Sequence, residues 1–226
     1  MNLLGFRSPD RIYYSDSCPA GLGGYSDQGF AWRFRIPDDL QFRASNNLLE
    51  FLAAVITPWI DIIDGRLSRG DCALSMTDST TAEGWMRKSN FSEPSIDPIQ
   101  ATTRVDAARK YAEIFMSADV KGYSQWFPGK KNNVADALSR EWQRTNDELT
   151  SLLREIFPKS DARPFRDITS PQRNQLLADI TAAAIARERA VTGGTHDGEA
   201  RAWRRWTEYC KSVGCTDFFM DQLAKT

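Results

Sequence analysis

Four acidic residues fall where an ion-binding site would need them: Asp16, Glu50, Asp78 and Asp136. Asp16 follows the β-prone run Ile12-Tyr13-Tyr14-Ser15, and Asp78 ends CALSMTD. Glu50 is the lone acid in LLEFLAAVI, and Asp136 lies in the first turn of a helix after a Pro-Gly break. Carboxylates are hard oxygen ligands suited to Mg²⁺. Two such ions, about 3.5–4 Å apart, stabilise both the attacking and the leaving oxygen of an in-line displacement at a phosphodiester. Carboxylates gathered this closely repel one another when no cation is present. The chemistry expected of the four is metal-assisted phosphodiester cleavage, each serving as ligand and catalytic group. Each also has an ordinary structural role: Asp78 as a helix cap, Asp136 in an Asn-x-x-Asp start, Asp16 at a turn. Glu50 has no helical ion-pair partner three or four residues away, and burying it unpaired is costly.

The elements that must position these groups are legible from period. Residues 11–36 read as three short strands, close enough to pair antiparallel. In Ala31–Ile36 the alternation puts Trp32, Phe34 and Ile36 on one face and the arginines on the other. Residues 46–63 are apolar nearly all round, a helix opened by Ser45 or Asn46, with Pro58 expected to kink it. Its face Glu50, Ala53, Ala54, Thr57 is small enough for close approach to another element. Residues 72–78 read as a strand. A helix follows at once, with Thr80 and Glu83 spaced as a capping box. A two-proline loop over 89–100 and a helix over 101–119 come next. The strand 121–127 is stopped by Pro128-Gly129, and a final helix carries Val134, Ala135, Ala137 and Leu138. A crossover between strands implies parallel pairing. The expected class is therefore α/β: a mixed five-stranded sheet, three antiparallel strands and then parallel ones, flanked by helices.

Composition narrows the function classes. Of 226 residues, 41% are hydrophobic, so the chain can build a core; Lys and Arg number 29 against 30 Asp and Glu, which excludes a generic basic tail. Setting the four carboxylates aside leaves the rest of residues 1–140 mildly basic, as suits a nucleic-acid partner. The four cysteines form no paired CxxC, so free thiols are expected rather than a zinc site. No apolar run reads as a membrane span and the amino terminus lacks a signal peptide's order. The expected setting is cytoplasmic or nuclear, with no membrane partner.

The stretch from Tyr13 to Arg140 resembles the ribonuclease H domain that follows reverse transcriptase in LTR and DIRS-like retroelements. The blocks that carry the resemblance are YSDSCPAGLGGY, SNNLLEFLAA, SMTDSTTAEGWM and, most specifically, FPGKKNNVADALSR. It implies an RNase H-like fold over 11–142 and cleavage of the RNA strand of RNA–DNA hybrids. It also implies two Mg²⁺ ions, replaceable by Mn²⁺, on Asp16, Glu50, Asp78 and Asp136. A reverse transcriptase acting in trans would be a further partner. Many cellular relatives carry a His before the last Asp; here the single His is His196, in a Gly-rich break.

Candidate contacts to phosphate or sugar are Ser79, Thr80, Lys130, Lys131, Asn132 and Asn133. Trp85, Arg87 and Lys88 mix an aromatic with basic residues, and Trp85 is expected in the core. Residues 143–171 read as a linker with a short helix, and 172–226 as a helical tail. Within that tail, 198–213, with Trp203, Trp206 and Cys210 on one face, resembles the start of a tyrosine-recombinase core-binding (SAM-like) domain, which implies duplex DNA as a partner. Two other functions fit the same residues: a catalytically inactive nucleic-acid-binding remnant of a retrotransposon polyprotein, and a DNA-binding fragment of a tyrosine recombinase.

Overall fold

A computed structural model describes residues 8–87, 98–158, 165, 168 and 170–190, the side chains of 98–103, 170, 189 and 190 excepted. The strands are β1 (Arg11–Cys18), β2 (Gly21–Ser26), β3 (Ala31–Arg35), β4 (Cys72–Thr77) and β5 (Lys121–Trp126). They form one sheet in the order β3-β2-β1-β4-β5. β1 pairs antiparallel with β2, and β2 with β3, whereas β4 lies parallel to β1, and β5 parallel to β4. The expected mixed sheet is present.

Two apolar layers cover the sheet. On one face packs α1 (Asn46–Ile63), against Tyr13, Leu22, Trp32 and Phe34. Ser45 caps it, its hydroxyl accepting from the Leu48 amide, and the helix runs on through Pro58. The small face of α1 works as its composition suggested. Thr57 lies against Gly24 of β2, where a Cβ would come within 2.3 Å of the threonine hydroxyl. That hydroxyl donates to the Ala53 carbonyl and accepts from the Trp32 indole at 3.0 Å. Each large apolar side chain buried along α1 contributes about 1.5–3 kcal/mol, so this interface dominates the local energetics. By length and mean hydropathy α1 resembles a membrane span (18 residues, 1.3), contrary to the expectation of no such run. Here the sheet and helices bury most of it.

On the other face packs α4 (Asn133–Arg140), through Val134, Ala135 and Leu138. Gly23 of β2 permits this approach: a Cβ there would sit 2.5 Å from that of Leu138 and 3.0 Å from the Ser139 amide nitrogen. Between β4 and β5 the chain forms α2 (Thr80–Arg87) and α3 (Pro98–Ala118), the latter reaching into the stretch read as loop. The start of α2 is corrected. Ser79, not Thr80, supplies the capping hydroxyl, accepting from the Ala82 amide at 3.1 Å, and Glu83 pairs with Arg87 instead.

Compact packing continues past the expected boundary at 142. The first compact unit is Met1–Arg187. Within the stretch read as linker, α5 (Asn146–Ile156) opens with a complete Thr145–Glu148 capping box. It buries Leu149 and Leu153 beside Leu138 and Tyr25. Phe165 bridges to Ala31 of β3. α6 (Ser170–Ala190) adds Leu176, Ile180 and Ala183 to the α1 layer. An Ala-rich helix gives little apolar contrast between its faces, so its docking is hard to read from sequence. The second unit, Glu188–Thr226, is described only through Ala190. His196 and the 198–213 segment with Trp203, Trp206 and Cys210 lie outside the described residues.

Candidate metal centre

The parallel register of β1 and β4 sets the site. Tyr14 pairs with Met76, so two residues further along both strands bring Asp16 beside Asp78. From the opposite layer, the first turns of α1 deliver Glu50. One carboxylate oxygen each from Asp16, Glu50 and Asp78 lie within 4.8 Å of one another. That spacing and the all-oxygen donor set fit a divalent cation. Glu50 Oε2 is buried without a hydrogen-bond partner, a cost that a cation would relieve.

Electrostatics follow from this crowding. Burial, then the charges of Asp16 and Asp78, push the Glu50 carboxyl up to about 8, with Ser17 acting in the opposite direction. Asp16 is 1% exposed. Burial raises it to about 6, although the Ser139 hydroxyl, donating at 2.5 Å, and Arg140 both favour its charged form. Asp78 is also raised, chiefly by burial and then by Asp136, against its own backbone and Arg140. Three adjoining carboxyls thus hold protons more tightly than isolated ones do.

Asp136 stands apart from this group. It sits half-exposed on the first turn of α4 and reaches Asp16 through Arg140, whose Nη2 lies 3.0 Å from Asp136 Oδ1 and 3.4 Å from Asp16 Oδ2. Burial works against the Arg140 charge, but Asp16 and Asp136 outweigh it and raise its pKa. The structure therefore brings three of the four expected acids together and tethers the fourth at the rim.

The remaining candidates divide by exposure. Thr80, Lys130, Lys131 and Asn133 are exposed, on α2 and on the turn leading into α4. Ser79 spends its hydroxyl on the α2 cap. Asn132 differs from the exposed candidates. It is fully buried and its amide donates to the Ser15 carbonyl at 2.9 Å, so it ties the α4 start to β1 and faces no solvent. Trp85, expected in the core, is partly buried and packs edge-on against Phe51 at the core's edge, with the Arg104 guanidinium over its ring. Lys88 lies outside the described residues.

Sequence reading overlooked several groups that shape the site. Ser139 and Arg140 hold Asp16, and the Trp126 indole donates to the Asp78 carbonyl at 2.9 Å. Gly129 lets the turn press on Asp78: a Cβ there would fall 2.5 Å from Asp78 Oδ2. The available signal was the helical spacing of Asp136, Ser139 and Arg140, which places all three on one face toward β1.

No protein-family model matches this chain, and no curated protein matches it. Among solved structures it is similar to the N-terminal RNase H domain of rv2228c from Mycobacterium tuberculosis, determined as a fusion with maltose binding protein. The TM-score is 0.38 and the identity 16%, covering 66% of this chain and 98% of that one. With three antiparallel strands followed by two parallel ones, and helices on both faces, the chain has a mixed-sheet α/β fold.

Proposed function

We propose that this chain is a ribonuclease H-type endonuclease of retroelement origin, cutting the RNA strand of RNA–DNA hybrids with divalent cations. The observation that carries the reading is the convergence of Asp16 from β1, Asp78 just past β4 and Glu50 from α1. Two Mg²⁺ ions, or Mn²⁺ in their place, would supply the charge that stabilises the attacking and leaving oxygens. The chain's own residues do the rest. Asp16, Glu50 and Asp78 form one ligand group, Asp136 extends it, and Ser139 fixes the orientation of Asp16. Thr80, Lys130, Lys131 and Asn133 are exposed near the acids and suit contacts to phosphate and sugar. The expected products carry 5′-phosphate and 3′-hydroxyl ends. The retroelement origin rests on the sequence block FPGKKNNVADALSR.

The test is cleavage of an end-labelled RNA–DNA hybrid in Mg²⁺ and in Mn²⁺, with Asp78→Asn as the comparison. Cleavage by the parent chain and a loss of at least about 100-fold in the variant are expected, since even groups that only support a metal ligand carry 10–100-fold. Equal cleavage by both proteins would sink the reading. The second function, a binding remnant, draws on the lack of a His before Asp136. It predicts salt-sensitive hybrid binding with no turnover in the same assay.

A further inference from the structure

Arg140 raises a question that the carboxylates alone do not answer. It closes α4, one turn after Asp136, and a single guanidinium nitrogen reaches oxygens of both Asp136 and Asp16. Asp16 is thus shared between two acidic positions of different character. On the side of Glu50 and Asp78 the carboxylates face one another, and a Glu50 oxygen is left without a partner. On the side of Asp136 the gap already holds a positive charge. The Arg140 side chain is 56% exposed, so it can swing into solvent without unpacking the core.

We infer that Arg140 is a built-in counter-cation which makes the two cation positions fill in order. This inference rests on the metal-dependent reading of the site. The first ion enters between Asp16, Glu50 and Asp78, where it takes the place of protons and displaces no side chain. The second must break both Arg140 contacts and then sit near the displaced guanidinium. Until it arrives, Arg140 screens Asp16 from Asp136. Arg140 is a positioning residue in this account: it touches the ligands and not the reacting atoms. Because Arg140 and Asp136 are both about half-exposed, the effect on affinity is modest and falls with salt.

Calorimetric titration of the full chain with Mg²⁺, repeated with Mn²⁺, tests this. The parent chain should show a tighter and a weaker binding event. In R140Q the weaker event should tighten by about threefold to tenfold while the tighter one stays within about twofold. The gain should shrink as KCl is raised. R140M, which keeps the aliphatic stem, repeats the measurement should R140Q lose its fold by circular dichroism. A weaker event that is unchanged or loosened in both variants, with the tighter one intact, overturns the inference and leaves the metal reading standing. If the parent chain binds neither ion, or D78N leaves the tighter event unaltered, the metal reading itself fails and this inference falls with it.

Discussion

Two acids on the same helix, the half-buried Glu50 and the buried Asp61, face the same strand and have different chemistry. Both lie on α1 against β1, both are pushed upward in pKa first of all by burial, and each has one oxygen without a partner. Asp61 accepts a hydrogen bond from the Tyr13 hydroxyl at 3.0 Å, and Arg11 and Arg66 favour its charge; its carboxyl rises to about 6. Around Glu50 the nearest charges are two further carboxylates, and its carboxyl rises to about 8. Burial and an orphaned oxygen therefore do not distinguish a site from a structural acid. The sign of the neighbouring charges does: Asp61 has a hydroxyl donor and guanidiniums close by, whereas the charges nearest Glu50 are those of two carboxylates.

The largest effect that could break this contrast is on cleavage. Glu50→Gln should lower hybrid cleavage by at least about 100-fold, whereas Asp61→Asn should leave it within about threefold. Comparable losses in both variants, measured on the same labelled hybrid, would make the two acids equivalent and refute the distinction.

The pH dependence of stability sharpens it. Asp16 and Asp61, each near 6, and Glu50, near 8, are all raised above their ordinary values of 3.8 and 4.5. The folded chain then binds more protons than the unfolded one. The resulting stabilisation is complete below about pH 4 and is lost as pH rises through 6 and then 8. In EDTA, Tm should fall between pH 5 and pH 9. Asp61→Asn should remove part of the fall near pH 6, and Glu50→Gln the part near pH 8. Saturating Mg²⁺ should flatten the profile, because the ion takes the place of the protons. A metal-free Tm that rises over this range would contradict the assigned shifts.

The smallest effect concerns the structural acid. Tyr13→Phe removes the donor to Asp61 and should cost about 1–3 kcal/mol, seen as a lower midpoint in urea. Metal affinity by calorimetry should not move. A Tyr13→Phe protein that loses Mg²⁺ binding while staying folded would show that the two ends of α1 are coupled.

Much of this architecture was legible in the sequence because its signals are local. The alternation in β3, the Ser45 cap and the Gly-rich β2 each report on their immediate neighbours. Asp16, Glu50 and Asp78 could be singled out for the same reason, each following a β-prone run or interrupting an apolar helix face. The burial of Asn132 was not legible because its type suits phosphate contact as well as it suits a buried clamp, and its hydrogen bond to the Ser15 carbonyl is a long-range contact. The packing within 143–171 was not legible because Pro, Asp and Ser mark a linker by composition, while Leu149, Leu153 and Phe165 find partners far away in the chain.

By itself, then, the sequence determined the order of elements, the α/β class and the acids able to bind a cation, since periodicity and residue chemistry are properties of short segments. The tertiary structure alone decided which acids meet. Bringing Asp16 beside Asp78 needs the parallel register of β1 and β4, and bringing Glu50 to them needs Gly24 and Thr57 in contact. Setting Asp136 at the rim with Arg140 between it and Asp16 needs α4 pressed against Gly23. These are long-range packing distances, fixed by the fit of one layer on another and carried by no single segment of the chain.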